Sequence, residues 1–403
     1  KEIKMPDFRT VFCGLRFENP FVLAAAPSTD DLDMVRRGYE AGWAGAVMKT
    51  TSVPGSAVPL KYPMITGLTH EGRRVAAMGN IDLISEHHAD EVCKRIAALK
   101  KEFPEKITIG SIMGSQRSDW ETLVGMLEQA GADAIECSFS CPQGTLGSKP
   151  GAMLGQDVKL VKEVTGWIKK AAKRCPVVIK LTPQVADIVE AALAVKAAKG
   201  DAVCASNTIP ALMGINLDTL RPIPDVGGMT SYSGLSGPAI KPITLRVIAE
   251  ISRHTKMPIT GTGGASTWQD AVEFMLVGAR NVQMCTAVMK EGFRIIEHLK
   301  DGLSEFMERH QFQKTDDFIG YALRFITTHD KLPNISKGLS VIEDKKCIRC
   351  NLCYVACRDG GHAAIEMDKK RRPRVIREKC VGCGLCLAVC PVAGCIRIEP
   401  DAA

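Results

Sequence analysis

The chain is poor in aromatic residues: Phe, Tyr and Trp make up 5% of its 403 positions. Recognition of nucleic acid by base stacking depends on such rings, so the formal net charge of +7 is not read as a nucleic-acid surface. No apolar run approaches the roughly 18 residues that a membrane-spanning helix requires. Residues Lys1 to Thr10 carry neither an initiator Met nor the apolar core of a signal peptide, so export is not expected and the cytoplasm is the expected compartment. A GxGxxG fingerprint followed by an acidic residue is also missing, which argues against a nicotinamide dinucleotide site in this chain. Low-complexity segments are absent as well.

What the chain does have is cysteine. Nine of its sixteen cysteines fall in the last 57 residues. They are spaced Cys347-x2-Cys350-x2-Cys353-x3-Cys357, and again Cys380-x2-Cys383-x2-Cys386-x3-Cys390-Pro391. Two such runs are the pattern of a ferredoxin with two 4Fe–4S clusters, in which the fourth cysteine of each run crosses to the other cluster. One cluster would take Cys347, Cys350, Cys353 and Cys390, the other Cys380, Cys383, Cys386 and Cys357, leaving Cys395 over. A disulfide framework needs an oxidising compartment, and zinc sites usually show CxxC pairs, so both compete poorly. Arg358 stands where the motif prefers proline, a position that shapes a turn and supplies no ligand. Basic residues collect beside the cysteines, among them Lys345, Lys346, Arg349, Arg371 and Lys379. The excess either balances anionic clusters or docks a partner's acidic face.

Upstream, short apolar runs alternate with stretches of helical period, the pattern of a parallel sheet with crossover helices. Eight strands are expected: Val22 to Pro27, Gly45 to Thr50, Ile107 to Met113, Ala134 to Ser140, Val177 to Pro183, Ala202 to Thr208, Pro258 to Gly264 and Asn281 to Ala287. Helices are expected between them, with an eighth from about Val288 and a further helical stretch from Glu305 to Phe325. The α/β pattern predicts a (β/α)8 TIM barrel over residues 1–305, a helical linker over 306–340 and a ferredoxin-like domain with the clusters over 341–403. Three connections are long, Thr51 to Ile84, Cys141 to Gln156 and Ile209 to Gly237, and the first has room for a hairpin through Met64 to Met78.

Active sites of such barrels lie where the strands run out at their C-terminal ends. Those ends offer Lys49-Thr50, Ser111, Ser138-x-Ser140-Cys141, Lys180, Asn207-Thr208, Gly263-Gly264 and Cys285-Thr286. An ammonium after an apolar strand is costly unless something anionic receives it. The run Gly261 to Ser266 ends the seventh strand and opens a helix, and with Cys285-Thr286 it matches the phosphate site that barrels form after strands seven and eight. Without a nicotinamide fingerprint, the phosphate points to FMN, with Lys180 at the electron-rich pyrimidine edge of the flavin. Cys141 follows strand four. A thiol with an ordinary pKa near 8.5 suits an acid that gives a proton while the flavin moves a hydride.

Phe21 to Cys285 resembles the FMN barrel shared by dihydroorotate and dihydropyrimidine dehydrogenases. With its double-cluster tail, the chain is similar to the FMN and iron–sulfur subunits of bacterial NAD-dependent dihydropyrimidine dehydrogenases. The resemblance rests on Met48-Lys49-Thr50, Gly79 to Ile84, Ser140-Cys141-Pro142, Lys180 to Pro183, Ser206-Asn207-Thr208, Ser236-Gly237 and Gly263-Gly264. It implies that Lys49, Thr50 and Lys180 contact FMN, and that Ser236, Gly237, Gly263, Gly264, Cys285 and Thr286 cradle its tail and phosphate. It further implies that Asn80, Asn207 and Thr208 hydrogen-bond a pyrimidine ring and that Cys141 is the acid. The family's loop often reads Asn-x-Ser-Cys-Pro followed by His or Asn, whereas this chain has Ser138 and Gln143. A shorter hydroxyl at Ser138 thus replaces one substrate amide, a departure that touches selectivity more than reaction type. The reaction implied is reduction of uracil or thymine to the 5,6-dihydro base. Electrons from NADH would arrive through a separate FAD- and NAD-binding subunit, making a hetero-oligomer. The alternatives are a dihydroorotate dehydrogenase and a non-catalytic flavin and iron–sulfur electron-transfer subunit.

Overall fold

The structure, a computed structural model, describes residues 6–54, 59–70, 73–140, 154–333 and 337–401. The chain divides into two compact units, Lys1–Ile326 and Thr327–Ala403.

All eight expected strands form. They are β1 (Phe21–Leu23), β2 (Gly45–Val47), β3 (Ile107–Ile112), β4 (Ala134–Ser138), β5 (Val177–Lys180), β6 (Ala202–Ala205), β7 (Ile259–Thr262) and β8 (Asn281–Met284). Each pairs in parallel with its sequence neighbour, and β8 returns to β1, so the sheet closes into a barrel. Every residue of these strands is buried, and most positions are apolar, Glu136, Asn281 and Gln283 being exceptions: side chains on one face meet helices and those on the other meet the barrel interior. Outside lie α1 (Leu32–Ala41), α2 (Ala89–Glu102), α3 (Arg117–Gln129), α4 (Val158–Ala171), α5 (Ile188–Ala197), α6 (Lys241–Thr255), α7 (Trp268–Leu276), α8 (Thr286–Glu291) and α9 (Ile295–Arg309). Asp31, Asp157, Asp187 and Thr267 each accept backbone N–H bonds at a helix start, satisfying donors that would otherwise lack partners.

A short hairpin, Thr10–Phe12 against Leu15–Phe17, plugs the N-terminal end of the barrel. Phe12 and Phe17 pack there on Val22, Ile107, Ala134, Val178 and Ala202, which stand at or near the starts of their strands. The opposite mouth carries the described parts of the long connections. Strands Ile65–His70, Arg73–Asn80, Ser233–Ser236 and Ile209–Ala211 join two of them into one antiparallel sheet, and the first pair is the hairpin expected in that loop.

One expectation needs correction. The stretch Glu305 to Phe325 is not a continuous helix: α9 ends at Arg309, Gln311 turns through φ 60°, and only 3-10 turns follow at Thr315–Asp317 and Tyr321–Phe325. The aromatic spacing explains the break. Phe312 and Phe318 fold back so that their rings lie 5.9 and 5.3 Å from that of Phe306, a cluster that a straight helix could not close. The eighth helical segment is likewise split, at Gly292 with φ 82°.

In the second unit, Gly338–Ile342 pairs with Ile396–Pro400 and Ile365–Met367 with Pro373–Val375. Each cysteine run enters a helix, Leu352–Gly360 or Leu385–Ala388. The two runs share backbone geometry: Arg349 and Asn351 have φ 57° and 68°, where the second run uses Gly382 and Gly384 at 67° and 83°. Glycine is needed at 382, since a Cβ there would lie 2.6 Å from the Gly338 backbone.

Helix α9 meets the start of α7 through Gly302, where an added Cβ would fall 2.1 Å from the Trp268 ring. Gly302→Ala gains about 0.5–1 kcal/mol of helix propensity but costs about 1–3 kcal/mol through overpacking. Urea unfolding should show a net loss of stability, and a more stable variant would contradict this packing.

Candidate active site

Two ammonium groups stand at the mouth. Lys49, just past β2, is 6% exposed, and its Nζ lies 2.8 Å from Asp82 Oδ2 and 3.6 Å from Asp30 Oδ2. Its neighbour Thr50 shares a 2.8 Å hydrogen bond with Ser111 Oγ at the end of β3. Lys180 ends β5, also buried, with Nζ 3.4 Å from Glu136 Oε1 on β4. Glu136 Oε2 accepts from Gln283 Nε2 on β8 at 2.7 Å. Burial works to lower the pKa of Lys180, but the Glu136 carboxylate outweighs it, and the ammonium is held above its ordinary range. Burial pushes the nearby Cys285 thiol up to about 11, Lys180 opposing, so that thiol is neutral at physiological pH.

The residues expected to cradle a phosphate also meet. Thr286 Oγ1 at the start of α8 donates to Ser236 Oγ at 2.9 Å, and Ser236 Oγ donates to Met78 O at 3.1 Å. Gly237 follows with φ 85°, and Gly263 and Gly264 after β7 have φ 111° and 98°. A Cβ on Gly264 would lie 2.5 Å from the backbone N of Lys241, and one on Gly263 2.8 Å from Thr244 Oγ1, so this loop lies against the first turn of α6. Asp270 in α7 fixes the loop: its Oδ2 accepts from the backbone N–H groups of Ser266 and Thr267 at 2.9 Å each, and its Oδ1 from Lys241 Nζ at 2.8 Å. Cys285 contributes no side-chain polar group here, since its thiol lies on Met289 Sδ at 3.6 Å.

A third group forms an amide and hydroxyl face. Asn207 Nδ2 donates to Ser140 Oγ, and Asn207 Oδ1 accepts from the N–H of Thr208 at 2.8 Å. Thr208 abuts Gly234, where a Cβ would fall 2.4 Å from Thr208 Oγ1, and Gly234 pairs with Asn80 in the upper sheet. Ser138 is buried beside Lys180, its register partner. Cys141, the expected acid, lies outside the described residues.

Sequence reasoning missed the anionic partners Asp82 and Glu136, and the amide of Gln283. Glu136 carried a signal, a carboxylate facing inward from an otherwise apolar strand. Asp82 lies just past the upper hairpin, outside any helix or strand, and nothing in its spacing pointed to Lys49. Asp82 Oδ1 is buried at the mouth without a hydrogen-bond partner, a polar atom that a bound molecule can satisfy; deeper in the barrel Gln283 Oε1 also lacks one, and Glu136 Oε1 faces Lys180 Nζ.

In the second unit the cysteines surround two cavities. One is lined by Cys357, Cys380, Cys383 and Cys386, and the other by Cys347, Cys350, Cys353 and Cys390, with Cys395 beside them. Each cavity thus takes three cysteines from one run and the fourth from the other. Ser340 N–H lies 3.5 Å from Cys380 Sγ, its hydroxyl 3.2 Å from Cys386 Sγ, and Ala364 N–H 3.3 Å from Cys357 Sγ. Among the described residues no three His, Cys, Asp or Glu side chains converge as for a single metal ion. Nor is any helix among them long and apolar enough to cross a membrane.

Residues 8–307 match the family described as dihydroorotate dehydrogenase, and residues 340–398 the 4Fe-4S dicluster domain. The chain belongs to the dihydroorotate dehydrogenase family. It is 38% identical, over 91% of its length and 89% of the relative, to the NAD-dependent dihydropyrimidine dehydrogenase subunit PreA of Escherichia coli K12. Identity is 35% to the chloroplastic dihydropyrimidine dehydrogenase (NADP(+)) of Arabidopsis thaliana, over 85% of this chain and 82% of that one. With the catalytic subunit of dihydroorotate dehydrogenase B (NAD(+)) of Pyrococcus furiosus it is 34%, over 77% of this chain and 96% of the relative. The chain is therefore an oxidoreductase of a flavin-binding family, with an iron–sulfur domain attached.

Asp270 offers a test of the glycine loop. Burial works to raise its pKa, but Lys241 and the loop N–H groups outweigh that and hold it below the ordinary range. Its stabilisation is therefore complete above about pH 4, the unfolded value, and is lost as pH falls through the lowered folded value. Asp270→Asn should cost about 1–3 kcal/mol near neutral pH, and the gap from the parent should close in acid. An unfolding difference constant with pH would contradict this role.

Proposed function

We propose that the chain is the catalytic and iron–sulfur subunit of an NAD-dependent dihydropyrimidine dehydrogenase, reducing uracil or thymine to the 5,6-dihydro base in a reversible reaction. The observation that carries this reading is the mouth itself, where paired ammonium groups, a glycine cradle and an amide face converge on a barrel continuous in sequence with a two-cavity cysteine domain. FMN fits the residues present: two buried ammonium groups and the buried hydroxyls of Thr50, Ser236 and Thr286 are a donor set suited to an anionic cofactor, and Asp82 Oδ1 is buried without a partner. Thr286, Ser236, Gly237, Gly263, Gly264 and Cys285 would hold its phosphate and tail, and Lys49, Thr50 and Lys180 its ring system. Bound FMN would supply the hydride that goes to C6 of the pyrimidine.

The remaining steps belong to the protein's own residues. Asn80, Asn207, Thr208 and Ser138 would orient the ring, because amides and hydroxyls match alternating C=O and N–H groups. Cys141 would give its proton to C5, and with the hydride at C6 this completes reduction of the double bond. In the second unit Cys347, Cys350, Cys353 and Cys390 would hold one 4Fe–4S cluster and Cys380, Cys383, Cys386 and Cys357 the other, following the two cavities. NADH would reach them through an FAD- and NAD-binding partner subunit in a cytoplasmic hetero-oligomer.

Orotate chemistry is the second reading, favoured by the similarity to dihydroorotate dehydrogenase B subunits. That similarity covers 77% of the chain, whereas the dihydropyrimidine relative spans 91%. Under anaerobic conditions the reduced protein should be reoxidised by uracil and far more slowly by orotate, and the reverse order would overturn the assignment. Cys141→Ala should retain FMN but lose dihydrouracil formation by about 10²-fold or more. Undiminished turnover would remove Cys141 as the acid.

A further inference from the structure

A carboxylate inside a barrel is expensive to keep ionised, and the reading above gives Glu136 no task. Along β4, Ala134 belongs to the barrel floor, Glu136 stands above it at 1% exposed, and Ser138 reaches the mouth. Glu136 thus lies one layer beneath the expected flavin. Its two oxygens meet Gln283 Nε2 at 2.7 Å and Lys180 Nζ at 3.4 Å. The other titratable groups facing Lys180 are the thiols of Cys204, its register partner on β6, and Cys285 after β8. Burial holds Cys204 well above its ordinary range and Cys285 up to about 11, so both are neutral and neither can stand in as a counter-charge. Asp82 and Asp30 are engaged with Lys49.

We propose that Glu136 is a positioning residue for flavin chemistry, holding Lys180 as one half of a neutral pair so that the ammonium stays charged and aimed at the pyrimidine edge of the bound ring. This deepens the functional reading and rests on the flavin lying against Lys180. A lysine desolvated without a counter-charge gives up its proton as pH rises. Without Glu136, the positive charge that favours the reduced, anionic flavin would fade in mild alkali, whereas with it that charge persists.

Flavin midpoint potentials of the full chain carrying FMN, read spectroscopically from mildly acidic to mildly alkaline pH, test this. Glu136→Gln should lie at or above the parent in mild acid. In mild alkali it should fall below by tenfold or more in the equilibrium, about 30 mV for a two-electron couple. Lys180→Met should be displaced downward at every pH, and the double variant should match Lys180→Met alone. A Glu136→Gln profile parallel to the parent, with Lys180→Met displaced, overturns the proposal and leaves the flavin reading standing. Lys180→Met with unchanged FMN binding and potential overturns both. If Glu136→Gln alone does not hold a folded, flavin-binding barrel, the double variant decides. Recovery on removing both charges supports the pairing, since one unpaired buried charge is the costly state, and equal failure of the double variant overturns it.

Discussion

An ammonium group in a nearly dry barrel must have an anion within a few ångströms, and the upper half of this molecule is arranged around meeting that demand twice. Lys49 is met by Asp82 and Asp30, and Lys180 by Glu136. The long connection after β2 supplies Asp82, so it has to return across the mouth. It does so as the hairpin that becomes one side of the upper sheet, and the same sheet brings Asn80 beside Gly234 and Thr208. Charge compensation and the polar face of the pocket are thus products of one piece of chain geometry. The floor sealed by Phe12 and Phe17 leaves the C-terminal end as the open mouth.

Much of this was legible in the sequence because parallel strands covered on both faces are mostly apolar. Runs such as Val177 to Lys180 therefore announce themselves, and the residue that ends each one is where polarity returns. The grouping of the cysteines around two cavities was legible for a similar reason, since a doubled spacing constrains which sulfurs can lie together. What the sequence hid were pairings between residues distant along the chain. Nothing near Lys180 indicates Glu136, and nothing near Asn80 indicates Gly234, because only closure of the barrel and the upper sheet sets those registers. The end of α9 was hidden too: helical period continues past Arg309, but the rings of Phe306, Phe312 and Phe318 gain more by clustering than by extending the helix.

The two units divide the chemistry. On the proposed reading, the barrel, with its glycine loop, paired ammonium groups and amide face, would move a hydride and a proton at a small polar ring. The cysteine domain handles electrons one at a time, and the hydrogen bonds that Ser340 and Ala364 direct to sulfurs around one cavity are the kind that tune a cluster's potential. On the same reading, the barrel would convert a pyrimidine and the cysteine domain would supply its electrons.

Rapid anaerobic mixing of the fully reduced chain with uracil, followed at wavelengths that separate flavin from iron–sulfur absorption, tests that division most directly. The account predicts that flavin absorption recovers first and that the cluster absorption then recovers in the same sample, as electrons drain through the barrel to the base. Recovery of the flavin with clusters that stay reduced, or no recovery of either, would contradict it.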